Sequence, residues 1–357
     1  MQALHIHAGP RARAHLRRHG LSPQDVRLVP AAAGGPKGLI LNHLDRQLFG
    51  HWLPGASPGH HLHLLGASIG AWRMAAALSA DPTAAFERLA HGYIHQHSDP
   101  SPERRRPPAR DISAAFARTL QDFFGADVPH LLAHPRWSLH IVTSRGLGVL
   151  QRPGRWGTAA GFAGLAVGNA IGRRWVGRWL ERTVFSSNGH PPVSLNDQPT
   201  RCVRLTAQNF LPALQASCSI PFWLEPVLDI PGAIPGAHWD GGIIDYHFHW
   251  PYHQLEHGVV LYPHFQRQVI PGWLDKGLRR RHRPTPWLDN VIVLAPNPAW
   301  VATLPGAKLP DRNDFTGLPP ADRVARWTRA VADSERLAAE WAAWLDAGCP
   351  ADRVLEL

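Results

Sequence analysis

Apolar and polar positions change period several times along the first eighty residues. "VRLVPAAAGG" (26–35) is a short apolar run that ends in a glycine turn, the pattern of a buried strand. "KGLILNHLDRQLF" (37–49) places apolar residues at 39, 40, 44, 48 and 49, which is helical spacing. "HLHLLG" (61–66) alternates and then turns fully apolar, as a strand entering a core does, and "SIGAWRMAAALS" (68–79) reads as helix. Strand, glycine turn, helix, strand, sharp turn and helix in succession predict a mainly parallel α/β sheet.

Further strands are predicted at 137–145, 202–208, 258–263 and 290–296. A charged, Pro-rich loop is expected at 103–110. Residues 321–345 read as one long amphipathic helix whose stripe is Val324, Trp327, Val331, Leu337, Trp341 and Leu345, packed against the sheet. No internal repeat and no clean linker interrupts the chain. A body over 1–265, carrying a Gly-rich insertion near 150–185, and a helical C-terminal extension over 266–357 are therefore expected to pack as one domain.

The insertion stands apart. "GTAAGFAGLAVGNAIG" (157–172) has no charge, and glycines recur at 157, 161, 164, 168 and 172. It is shorter than the ~20 apolar residues of a membrane span, and its small residues suit close helix packing. A lid-like insertion is the first expectation. The second is an interfacial segment with Trp175 and Trp179 at lipid headgroups and Arg173, Arg174 and Arg178 facing anionic lipid.

Composition narrows the classes. The 357 residues carry a net charge of +10 and fifteen tryptophans, which favours an anionic membrane surface over nucleic acid as a partner. A basic soluble enzyme with a Trp-rich core explains the same numbers. The Arg279-Arg280-Arg281 run has no accompanying aromatic pattern and reads as a solvated loop. Cys202, Cys218 and Cys349 show neither metal spacing nor a disulfide framework, which suits a reducing compartment. The N-terminus lacks the apolar stretch of a signal peptide. Cytoplasmic location, with peripheral membrane attachment as an option, is expected; the sequence leaves the oligomeric state open.

Two matches to G-x-S-x-G compete for a nucleophile. Gly66-Ala67-Ser68-Ile69-Gly70 has a strand before it and a helix after it, so Ser68 would sit on a tight strand-to-helix elbow with the Ile69 amide free for an oxyanion. Gly66 and Gly70 leave the backbone room for that turn. Ser57 follows no strand and precedes Pro58, which has no N–H; it reads as a loop serine. Upstream, Gly34-Gly35-Pro36-Lys37-Gly38 ends a strand and opens a helix, offering the amides of Gly34, Gly35, Lys37 and Gly38 to an anion. It matches neither nucleotide-binding glycine motif. Asp240 precedes Gly241 and Gly242, a pairing that by itself marks a turn.

These pieces, in this order, resemble the patatin-like phospholipase family. That family uses a serine–aspartate dyad and an oxyanion loop of the form G-G-G-x-R-G. Here Ala33 stands at the first glycine and Lys37 at the arginine. "LQASCSIPFWLEPV" (214–227) is similar to the family's A-S-x-A-I-P-x-x-F-P-P-V stretch. The resemblance runs from residue 26 to about residue 250. It implies a three-layer α/β/α sandwich, hydrolysis of lipid or other acyl esters without cofactor or metal, Ser68 as nucleophile and Asp240 as base. It further implies an oxyanion hole from the amides of Gly34, Gly35, Lys37 and Ile69.

Three other readings compete. A Ser-His-Asp α/β-hydrolase has twenty-three histidines to draw on, but that fold normally lays down several strands before its elbow. "HQLEH" (253–257) matches a zinc-protease pattern through His253 and His257, in a stretch too short for more than one or two turns, with His238, His247 and His249 nearby. The third is a non-catalytic basic protein that binds lipid on this fold.

Overall fold

The computed structural model describes residues 1–96 and 108–357. Most of the predicted charged loop at 103–110 therefore lies outside the described residues; Ala109 and Arg110 open a helix that runs to Phe124. Eleven strands among the described residues build one large, mostly parallel sheet. They are β1 (Leu4–Ala8), β2 (Val26–Ala31), β3 (Leu62–Gly66), β4 (Trp137–Gly146), β5 (Leu180–Ser186), β6 (Thr200–Arg204), β7 (Val227–Leu228), β8 (Ala237–Asp240), β9 (Val259–Pro263), β10 (Val291–Pro296) and β11 (Val354–Glu356). Across the sheet the order is β11-β1-β10-β9-β2-β3-β4-β5-β6, with β8 on β4 and β7 on β8. With helices packed around it, the chain is a mixed α/β protein.

β9 and β10 are continuous apolar runs because every residue in them is buried, as central parallel strands covered on both faces must be. β2, β3 and β4 run parallel in register, so that Ala31, Gly66 and Ile141 lie side by side at one end of the sheet. There β3 stops and β8 takes its place along the same edge of β4: Gly66 pairs with Ile141, and Asp240 pairs with Thr143. This exchange of strands is what brings a residue numbered 240 beside one numbered 68.

Segment 266–357 is not only helical, since it supplies β10 and β11 to the sheet. The stripe at 321–345 breaks into two helices, Pro320–Asp333 and Glu335–Asp346. At the break, buried Ser334 donates its hydroxyl to Val331 O at 2.6 Å, a local bond that competes with the helical ladder. Each half has its own packing. Trp327 joins Leu39, Ala90 and Ile94 in a satellite cluster, whereas Leu337, Trp341 and Trp344 enter the main core.

The helical spacing at 37–49 also folds differently from its expectation. The backbone is 3-10 over Gly35–Leu41, α over Asn42–Asp45 and π over Arg46–Trp52. Pro36 in the first turn removes one helical donor. The Gly-rich segment is a helix, Arg155–Ile171. Its glycines recur because Trp179 lies across them: a Cβ at Gly164 or Gly168 would meet the indole at 3.0 and 2.5 Å. Trp179 is therefore a packing residue, while Trp175 is 42% exposed. No helix among the described residues is long and apolar enough to cross a membrane.

Candidate active site

Ser68 is the N-cap of the helix Ile69–Ala76 and has φ 55° and ψ −132°. That left-handed conformation is costly for any residue with a Cβ. The turn closes so tightly that a Cβ on Gly66 would strike the backbone of Gly70 and Ala71, and one on Gly70 would strike Ala31 O. Both glycines are thus demanded by close backbone approach. Ser57 lies exposed between a 3-10 turn and β3, remote from any such elbow.

The segment after the helix Phe210–Ser217 ties serine and aspartate together. The Ser68 amide donates to Ser217 Oγ at 3.0 Å, and Ser217 Oγ donates to Val142 O at 2.7 Å. Two residues on, Ser219 O accepts the Asp240 amide at 3.0 Å. The Ser144 hydroxyl holds the Asp240 carbonyl at 3.0 Å, and the Gly242 amide donates to Asp240 Oδ1 at 2.7 Å. In the sequence this segment carries a motif, but nothing in it gives Ser217 a role. Its function shows only when β4 and β8 are seen to flank it.

Asp240 is buried, and burial pushes its carboxyl up to about 6; a hydrogen bond from the Ser68 side chain, the Gly242 amide and the charge of Arg312 hold it back from rising further. A buried carboxylate that titrates near neutrality, bonded to a strained serine, can accept a proton at physiological pH. Cys218 also hydrogen-bonds Ser68, and burial raises its thiol well above the ordinary range.

The pair opens into a cavity of about 610 Å3. Ala33, Gly34 and Lys37 line it on one side, but Gly35, Gly38 and Ile69 do not. Gly34 has no room for a Cβ because the Phe265 ring fills that space. The Ala33 amide is committed to Tyr246 O at 3.0 Å, whereas the amides of Gly34 and Ile69 have no hydrogen-bond partner among the described residues. Lys37 Nζ lies 5.6 Å from the centre of the Phe265 ring.

The remaining wall divides by polarity. Phe162, Ala163 and Ala166 of the Gly-rich helix, with Ile220, Phe222 and Leu274, make an apolar side; Lys37, Lys276 and Arg312, with the single acid Asp311 among them, make a net cationic one. Arg312 and Lys276 carry no local signal in the sequence, since neither belongs to a motif or to a periodic stripe. No histidine lines the cavity among the described residues.

The next carboxylate along the chain after Asp240 is already engaged: Asp245 is buried in a two-toothed pair with Arg182, at 2.6 and 2.7 Å. His253 belongs to a 3-10 turn, Tyr252–Gln254, so His253 and His257 do not share a helical face. His238 bonds Thr143, His247 bonds Gln268 O and His249 bonds Thr285. No group of three metal-ligating side chains forms among the described residues. Arg281 of the arginine run is not solvated but bonded to Asp275 at 2.6 Å. The chain matches no protein-family model, no curated protein and no solved structure.

Proposed function

We propose that this protein is a patatin-like serine acyl hydrolase, of three-layer α/β/α build, that cleaves lipid-type esters bearing an anionic group. The observation that carries the reading is Ser68, strained at a helix N-terminus and facing the same cavity as buried Asp240, whose carboxyl burial pushes up to about 6. In the first step Ser68 Oγ bonds to the ester carbonyl carbon while Asp240 takes its proton. The resulting oxyanion is met by the free Gly34 and Ile69 amides at the positive end of the helix that follows Ser68; each such donor is worth ~3–4 kcal/mol of barrier. Collapse breaks the carbon–oxygen bond, and the departing alcohol takes the proton from Asp240. Water, deprotonated by Asp240, then attacks the acyl-serine and releases the acid and Ser68.

The divided cavity supports the substrate class. An acyl chain fits along Phe162, Ala163, Ile220 and Leu274, and a phosphate or carboxylate fits near Lys37, Lys276 and Arg312. Exposed Phe222 and Trp273, which line the cavity, suit contact with a lipid surface.

Fluorophosphonate labelling with mass-spectrometric mapping tests the proposal. Ser68 takes the label, Ser68→Ala loses both label and ester hydrolysis, and Ser57→Ala keeps both. Active protein labelled elsewhere, or hydrolysis that survives Ser68→Ala, would sink it. Lipid binding without any hydrolysis would favour the non-catalytic reading.

A further inference from the structure

A second cavity, also about 610 Å3, lies on the far side of segment 272–281. Five guanidinium groups line it, from Arg173, Arg174, Arg280, Arg281 and Arg283, together with the half-buried indole of Trp287. Arginine's planar fork of donors matches phosphate oxygens in pairs and stays charged at any physiological pH. Five of them in one concavity is a strong electrostatic statement, provided that their charges are not already neutralised.

They are only partly neutralised. Buried Asp275 serves two of them at once, accepting from Arg173 and from Arg281, each at 2.6 Å. Asp197 is the lining carboxylate, but Arg182 holds both of its oxygens, at 2.8 and 3.1 Å. Arg182 in turn also pairs with Asp245. Five cations, set against Asp275 and against the single net negative charge of Arg182 with Asp197 and Asp245, leave three positive charges unmatched. Arg174, Arg280 and Arg283 have no carboxylate partner among the described residues; Arg174 lies over the Trp175 ring, and Arg280 reaches Ala170 O at 3.4 Å.

We infer that this cavity binds an anion carrying two or more phosphate groups. A single phosphate or carboxylate would satisfy at most two of the unmatched charges, whereas a diphosphate spans them. Trp287 adds an aromatic face at the rim, 6.1 Å from His249 in an edge contact. That face would accept a nucleotide base, but a bisphosphorylated lipid headgroup offers the arginines the same phosphates.

The site borders the candidate catalytic cavity. Trp273, Leu274 and Lys276 line one cavity, and Arg280 and Arg281 the other. Arg281 also donates to Asn169 O at 2.8 Å, close to the end of the helix whose Phe162 and Ala163 line the catalytic side. Occupancy is therefore positioned to stiffen that helix, although binding itself does not depend on the proposed hydrolysis.

Calorimetric titration of the full chain with pyrophosphate, at near-physiological salt, tests the inference without reference to catalysis. One saturable site is expected, with orthophosphate binding roughly tenfold or more weakly. Arg280→Glu/Arg283→Glu, both exposed, lowers pyrophosphate affinity at least about tenfold without changing the melting temperature. Arg279→Glu, a single charge reversal of the same kind at a neighbouring exposed arginine that does not line the cavity, keeps it. ADP binding that weakens in Trp287→Ala while pyrophosphate binding does not identifies a soluble nucleotide. Co-sedimentation with phosphatidylcholine vesicles doped with phosphatidylinositol bisphosphate, lost in the double variant, identifies a headgroup. Absence of saturable pyrophosphate binding, or equal weakening by Arg279→Glu, overturns the site.

Discussion

Arg73 grips Asp45 through two hydrogen bonds of 2.7 Å, and both side chains are almost completely buried. Arg73 stands on the helix that begins at Ser68; Asp45 stands on the helical segment that begins at the glycine turn. The pair therefore clamps the two pieces that the proposed chemistry needs held still. Breaking a buried pair by removing one partner costs about 3–5 kcal/mol, whereas replacing both with apolar groups is often neutral. Urea unfolding should show that loss in Arg73→Met and recovery in Arg73→Met/Asp45→Leu. In the double variant fluorophosphonate labelling of Ser68 should still be slowed, because packing alone does not fix the angle between the two helices.

Asp240 predicts a pH dependence of opposite sign for activity and for stability. In the proposed mechanism the carboxylate is the base, so hydrolysis and labelling should rise with pH through about 6 and then level off. Stability runs the other way. The folded carboxyl titrates near 6 against an ordinary value of 3.8, so the unfolded chain ionises first, and stability is lost as pH rises from about 4 to about 6. Asp240→Asn removes that penalty. Denaturation should find the variant more stable by up to about 3 kcal/mol above pH 6, with little difference near pH 4.

Arg312 holds the Asp240 carboxyl down through its charge. Arg312→Met should push the rising limb of the labelling profile to higher pH, slowing reaction near pH 6 and barely altering it at pH 8. The same variant should raise KM for esters with a phosphate or carboxylate more than for neutral esters of equal chain length. Equal effects on both would leave Arg312 a structural residue only.

The apolar side of the cavity should set chain length. Ala163 and Ala166 line it from an otherwise exposed helix face, so bulk can be added there with little effect on folding. Ala163→Trp should cut kcat/KM for long-chain nitrophenyl esters by roughly tenfold or more while sparing acetate and butyrate.

Much of the site was legible because its demands are local. The Ser68 elbow follows from a strand, small flanking residues and a free amide at Ile69, all within a few positions, and Ser57 fails the same test beside Pro58. The glycine turn and the six strands from 26 to 296 announce themselves by period. What remained hidden is long-range. β1 alternates Leu4, Ile6 and Ala8 with two histidines, but five residues are a faint signal alone, and it becomes a strand only between β10 and β11. The break at Ser334 depends on two different cores claiming the two halves of one stripe. Gly35 and Gly38 satisfy the motif yet do not line the cavity, while Arg312, Lys276 and Ser217 reach the site through folds of the chain that no spacing rule encodes.

The positive φ of Ser68 has a consequence for how this protein can change. A glycine there would relax the backbone and shed on the order of 1–3 kcal/mol of strain, so the most comfortable residue for the turn is one with no hydroxyl at all. Selection for robustness alone would erase the proposed nucleophile. On the proposed reading, a serine kept in that posture trades durability for reactivity, and libraries screened only for heat resistance should lose it early.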